Sequence, residues 1–110
     1  MKVTRIDIQK VRNLCSKGSI MWTGHIWNKL FVRGISQASV EYVISKGEVI
    51  EDYPEDTPYP SCLILGYDEN GIALHVVCSI DSANVWMITA YRPDPDEWSD
   101  DLRTRKEILL

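Results

Sequence analysis

Two apolar, β-branched runs on either side of an Asn-Gly pair constrain this chain most. Residues 61–67 (SCLILGY) and 72–80 (IALHVVCSI) flank Asp68-Glu69-Asn70-Gly71. Asn-Gly between strand-like runs is a strong hairpin signal, because both residues tolerate the positive φ of a tight turn. A third run, Val85–Tyr91, follows a turn at Asp81–Asn84, and Glu48–Tyr53 precedes the set. The intervening EDYPEDTPYP holds Pro54, Pro58 and Pro60 and reads as a loop. The pattern predicts an antiparallel meander of about four strands. Its runs are too apolar to be half-solvated throughout, so helices must cover at least one face.

Those helices precede the strands. Val3 to Lys17 carries a stripe of Ile8, Val11, Leu14 and Cys15 at helical spacing, with Thr4 as N-cap, Asp7 three residues on and Gly18 as the stop. Ile20-Met21-Trp22 reads as a short strand or an extended lead-in. From Trp22 to Gly47 the chain spells two short helices joined at Arg33-Gly34-Ile35-Ser36. The first runs roughly from His25 to Val32, opened by Thr23 or Gly24, with Ile26, Trp27, Leu30 and Phe31 apolar and Gly34 as its stop. The second has Ser36 as N-cap, Ile35 and Val40 at hydrophobic-staple positions, and Val40, Val43 and Ile44 as its buried face. Gly47 suits its C′ position. A DNA-reading role is rejected, since QASVEYVISK offers few side chains for base edges. Arg92-Pro93-Asp94-Pro95 ends the sheet, and a short C-terminal helix is expected from Trp98 to Leu110 with Ser99 as cap. The fold class is α+β, helices packed on an antiparallel sheet.

The length of 110 residues fits one domain, with no internal repeat. Cys15, Cys62 and Cys78 are odd in number and widely spaced, which argues for buried thiols and a reducing cytoplasm rather than disulfides or a zinc knuckle. With two histidines, His25 and His75, and dispersed cysteines, no metal site or cofactor is expected. MKVTRIDIQKVRNLC lacks the apolar stretch of a secretory signal, and no apolar run reaches the ~20 residues of a membrane span. The expectation is therefore cytoplasmic and not membrane-bound.

The net charge of −4 conceals a division. Residues 1–46 hold eight Lys/Arg against Asp7 and Glu41, a balance of +6, whereas residues 47–110 stand at −10. A basic half attracts phosphate even in an acidic molecule. Lys2, Lys10 and Lys17 suit solvated helix faces. His25, Lys29 and Arg33 differ: spaced four and four, they form one polar stripe on a helix. Asp94, Asp96, Asp100 and Asp101 read as a solvated acidic tail, or as a mimic of phosphates facing a basic partner.

The run HIWNKLFVRGIS (residues 25–36), then Val40 and GEVI (47–50), LHVV (74–77) and ITAYRP (88–93), resembles domain-of-unknown-function family 4258, a family of small prokaryotic domains. The resemblance covers roughly residues 20–93, with 94–110 as an acidic extension. Where the family usually has Arg, this chain has Lys29, which keeps the charge but weakens a bidentate phosphate clamp. The family is grouped by fold with compact nuclease toxins of the barnase, EndoU, colicin and RelE class, and its members are often found beside antitoxin-like genes. The resemblance thus implies a metal-independent ribonuclease toxin with an RNA substrate and a protein antitoxin as partner.

On that reading His25, at a helix start that favours the neutral imidazole, is the general base towards a ribose 2′-hydroxyl. Lys29 and Arg33 hold the scissile phosphate. The bland alternative has His25 capping its helix and the two cations pairing with acids of the second half. Tyr91 stacks on a base at the end of its strand, or is an ordinary half-buried tyrosine. His75 is a hydrogen-bonded core residue or a second acid/base, and Thr89 and Arg92 are possible substrate contacts. Symmetric closure of the Asp81–Asn84 turn sets His75 on the sheet face opposite Thr89 and Tyr91, and a one-residue slip reverses this. A non-catalytic interaction module on the same fold is the competing function.

Overall fold

The computed structural model describes residues 6–106. Three helices, α1 (Ile8–Ser16), α2 (Gly24–Arg33) and α3 (Gln37–Lys46), share one side of a five-stranded sheet. The strands are β1 (Ile20–Trp22), β2 (Glu48–Tyr53), β3 (Ser61–Tyr67), β4 (Ala73–Ile80) and β5 (Val85–Tyr91), in the order β1-β5-β4-β3-β2. The expected four-strand antiparallel meander is present as β2 to β5. The fifth strand corrects the count: Ile20–Trp22 pairs parallel with Val85–Met87, making the sheet mixed.

The helix starts and stops follow local chemistry. Asp7, not Thr4, caps α1, its carboxylate accepting from the Gln9 N–H at 2.9 Å. Thr4 lies outside the described residues. Gly34 takes φ 66° behind α2, and Ser36 caps α3 by accepting from the Ser39 N–H. Ile35 and Val40 are both buried, as a staple requires. Arg12 of α1 donates to the Ile44 and Gly47 carbonyls at the end of α3, so part of the basic excess satisfies helix-terminal oxygens. Gly47 stands where a C′ glycine was expected, but for another reason. Its φ is −79°, and a Cβ there would sit 2.6 Å from the Leu65 and Val43 carbonyl oxygens.

The core lies between helices and sheet. Val11, Ile26, Leu30, Val40, Val43 and Ile44 meet Cys62, Ile64, Leu74, Val76, Cys78, Val85, Met87 and Ala90. Cys62 and Cys78 are cross-strand neighbours with sulfurs 3.8 Å apart, free and fully buried. Their shared hydrogen bond and burial push the Cys78 thiol well up, and burial with Glu41 nearby pushes Cys15 to about 11. Neither Cys15 nor Cys78 is poised as a thiolate.

The second sheet face carries Leu63, Leu65 and His75, all buried without helices above them. They are covered by the segment after β5. No C-terminal helix forms among the described residues of this segment, and residues 107–110 lie outside them. Instead 94–106 folds as a strap, closed by a bridge between Trp98 and Arg105, with Trp98 2% exposed. The strap also corrects the reading of a solvated tail. Asp94 and Asp101 are exposed but serve its turns, Asp101 accepting from the Arg103 and Thr104 N–H groups. Among the described residues no helix is long and apolar enough to cross a membrane.

The tight approach of α3 to β3 makes a direct test. Gly47→Ala is expected to cost about 1–3 kcal/mol in urea unfolding, because the new methyl meets backbone that cannot turn aside. Gly24→Ala, whose Cβ meets nothing within 4 Å, is expected to be neutral or to stabilise by up to about 1 kcal/mol.

Candidate functional site

α2 buries Ile26 and Leu30 against β5 and leaves two flanks outside. One carries Trp27 and Phe31, a turn apart, with Trp27 stacked on Trp22 of β1 at 5.1 Å between ring centres. The other carries His25, Lys29 and Arg33. His25 and Lys29 are exposed, and among the described residues they make no hydrogen bond or ion pair. The alternative in which His25 caps its own helix is not what is seen, since the N-cap is Thr23 and makes no side-chain capping bond. Arg33 is engaged, though not by an acid. It donates to the Ala90 carbonyl at 2.8 Å and to Thr89 Oγ1 at 3.4 Å. β1 pairs with β5 only as far as Met87, so Arg33 occupies the edge of β5 beyond it. From Ile20 to Val40 the sequence holds no Asp or Glu, so no carboxylate of α2 itself or of the segments beside it in the chain offsets the stripe.

A second cluster lies on the strap-covered face. His75 pairs with Tyr91 across β4 and β5 because Ile88 is an extra residue: Val77 pairs with Thr89 and Cys78 with Met87. This bulge reverses the facing that symmetric closure would give, and places His75, Thr89 and Tyr91 on one side of the sheet. His75 Nε2 lies 2.7 Å from the Leu102 carbonyl, an acceptor only, so Nε2 carries the proton. In the neutral ring Nδ1 then accepts from the Tyr91 hydroxyl, 3.3 Å away. The Trp98 ring stands edge-on to His75 at 4.5 Å. Burial lowers the His75 pKa, against the Leu102 hydrogen bond, which raises it. Burial raises that of Tyr91, with Arg105, Glu51 and Arg33 among the charges acting on it.

β2 completes this cluster. Glu51 is gripped by Arg105 through both oxygens, at 3.0 and 3.1 Å, and accepts from the Tyr53 hydroxyl. Burial raises the Glu51 pKa, but these hydrogen bonds outweigh it and hold the carboxyl below its ordinary range. Burial and the Glu51 hydrogen bond push Tyr53 up to about 12. Arg105 also lies over Trp98, 4.6 Å from the ring centre, and Arg103 pairs with Glu48. Glu48 and Glu51 therefore face the strap's arginines and not the α2 stripe.

The residues singled out in the sequence thus fall into three places. His25, Lys29, Arg33 and Thr89 line α2 and the β5 edge. His75 and Tyr91 share the covered face. Arg92 turns to the β3–β4 hairpin, binding Asp68 at 2.9 Å and the Ala73 carbonyl at 3.1 Å. Asp68 also accepts from the Ile72 and Asn70 N–H groups, and together these bonds hold its carboxyl low. The sequence reading missed Glu51, Tyr53, Trp98 and Arg105 as a set. The available signal was the opposite charge of the pair Arg103 and Arg105 and the pair Glu48 and Glu51, beside Trp98; the spacings differ by one residue, which the bulge between Val49 and Glu51 absorbs. Among the described residues no group of three or more His, Cys, Asp or Glu is placed to hold a metal ion.

The model of a family described as "Domain of unknown function (DUF4258)" matches residues 22–92, well over half of the chain. The chain belongs to this family. The match begins at the last residue of β1 and ends one residue past β5, so the family's span holds α2, α3 and the meander and leaves α1 and the strap outside. It takes in His25, Lys29, Arg33, His75, Thr89, Tyr91 and Arg92. No curated protein and no solved structure matches the chain.

The buried imidazole sets a pH dependence. With a folded pKa below the ordinary 6.5, His75 binds its proton less readily in the folded state than in the unfolded chain. Its contribution is fully present above that ordinary value and is lost as pH falls towards the folded pKa. Urea midpoints measured from about pH 7.5 down to about pH 5 are expected to fall for the wild type and to flatten for His75→Phe, whatever that variant loses in absolute stability. The depressed carboxylates, with ordinary values of 3.8 and 4.5, titrate below this window.

Proposed function

We propose that the chain is a metal-independent, RNA-cleaving, toxin-like domain acting along the α2 flank. The observation that carries this reading is the unneutralised stripe: His25 and Lys29 are exposed and unpaired among the described residues, on the same flank as Arg33, with no carboxylate from Ile20 to Val40. Stability does not require two cations and an imidazole in line on one solvent face, and such a line of positive charge favours phosphate.

In this reading Lys29, with Arg33 behind it on the β5 edge, holds the phosphodiester. His25 takes the proton of the ribose 2′-hydroxyl as that oxygen bonds to phosphorus. The bond from phosphorus to the 5′-oxygen breaks, and the leaving oxygen takes a proton from water. The products are a 2′,3′-cyclic phosphate and a free 5′-hydroxyl. His75 has both ring nitrogens occupied beneath the strap, so it takes no part as second acid/base; Tyr91 remains available to position substrate only through its strand-edge location beside Thr89. A cytoplasmic protein antitoxin is the natural partner of such a domain.

A second reading, the non-catalytic interaction module, has its own support. Phe31 is 86% exposed, Val32 73% and Trp27 47%, a concentration of apolar surface on one short helix.

Inducible expression of wild type and His25→Ala, with growth and total RNA followed, separates the two. The RNA-cleaving reading expects growth arrest and fragmented RNA with wild type, insensitivity of the cleavage to chelator, and loss of cleavage by about 10²–10⁴-fold in His25→Ala. Intact RNA and equal growth in both strains would overturn it and leave the interaction module.

A further inference from the structure

A small cavity of about 190 Å³ opens on the strap-covered side of the sheet, away from the strap itself, where the proline-rich loop folds over the β5 bulge. Its walls are Trp86, Ile88, Pro58 and Tyr59, and Thr23 and Asp56 stand among its polar groups. Trp86 is fixed, its indole N–H donating to Asp81 at 2.8 Å. Tyr59 and Ile88 are 47% and 37% exposed, so two of the apolar walls face solvent. The polar groups are not used up. The Thr23 hydroxyl makes no capping bond, and Asp56 holds Ser61 through one carboxylate oxygen, leaving the other without a partner among the described residues.

We propose that this notch binds a nucleobase. Flat aromatic walls with a hydroxyl and a carboxylate nearby suit a planar heterocycle that stacks and offers N–H groups at its edge. A space this size holds one ring system and excludes a bulky apolar segment. The charge pattern agrees on what is attached to that ring. Thr23 is two residues from His25, and Ile88 adjoins Thr89, which Arg33 touches. The chain thus runs directly from the notch's lining into the basic flank at Thr23 and at Ile88, and a base seated there has positive charge nearby along the chain for its sugar phosphate. This rests on the reading of the α2 flank as an RNA-binding surface, and it names the subsite that would hold the nucleotide beside the cleaved bond.

The test uses the whole chain and measures binding, not cleavage. The indole N–H resonance of Trp86 is followed by NMR while each of the four ribonucleoside 5′-monophosphates is added. Ribose 5-phosphate and N-acetyltyrosinamide are run in parallel. The expected result is a saturable shift of Trp86 with the nucleotides, no shift with ribose 5-phosphate, and weaker binding by about five- to hundredfold in Tyr59→Ala. Tyr59 is exposed enough that its truncation spares the core. No Trp86 shift, an equal shift with ribose 5-phosphate, or unchanged affinity in Tyr59→Ala would overturn the proposal. Tighter binding of N-acetyltyrosinamide than of any nucleotide would also overturn it and assign the notch to a protein side chain. The Trp86 shift reads base binding and total RNA reads cleavage, in separate experiments, so a failure of the notch and a failure of the cleavage reading are told apart.

Discussion

The single extra residue in β5 decides how this molecule presents its chemistry. Ile88 has no partner in β4, and the alternation of the strand shifts by one beyond it. Val85 and Met87 point into the helical core, but so does Ala90, two residues' alternation having been broken. Tyr91 is thereby turned to His75 and the strap, and Thr89 and the Ala90 carbonyl are set where Arg33 of α2 reaches them. Ile88 itself is left as a wall of the aromatic notch. Bulges are well suited to such re-aiming at a sheet edge, because they change facing without ending the ladder. Without this one, His75 and Tyr91 would lie on opposite faces, and the strap would lose the hydroxyl that satisfies the imidazole.

The charge division also acquires a structural meaning. The acids of β2 are matched by the strap: Glu48 meets Arg103, and Glu51 meets Arg105. These partly exposed pairs are individually weak, and Arg105 adds to its pair a stacking contact on Trp98. The basic side is matched only in part. Arg12 is absorbed by the end of α3, and Arg33 by the β5 edge. His25 and Lys29 project from the same helix flank with no such partner among the described residues. Membership of the family covers that flank but not the strap, so the covering of the second face is a feature added outside the family's span.

Much of the architecture was legible in local chemistry. Gly34, Ser36 and the Ile35–Val40 staple place the α2–α3 corner from sequence alone, and Asn70-Gly71 marks the β3–β4 hairpin. The misses share a physical cause, which is that long-range pairing leaves little trace in a short window. Three residues, Ile20–Trp22, read equally as a short strand or an extended lead-in, and nothing local shows that they join the sheet; their partner is β5, more than sixty residues on. The segment 98–106 has the charge of a solvated helix, but Trp98 finds a deeper site over His75 than a lone amphipathic turn would offer. Register was the hardest case, since the bulge at Ile88 inserts an apolar residue into an apolar strand. For the candidate site, the four-residue spacing of His25, Lys29 and Arg33 showed in the sequence, whereas the engagement of Arg33 with the β5 edge and of Arg92 with Asp68 depends on tertiary neighbours.

In the proposed function RNA is held along the α2 flank, continued along the β5 edge. Backbone amide NMR with a short 2′-O-methyl oligoribonucleotide tests it most directly, since that ligand keeps the phosphates and bases but lacks the attacking hydroxyl. The account predicts saturable, salt-sensitive shifts at His25, Lys29, Arg33 and Thr89, with the strap amides from Trp98 to Arg105 unmoved. Shifts confined to the strap, or none at the α2 flank, would contradict it.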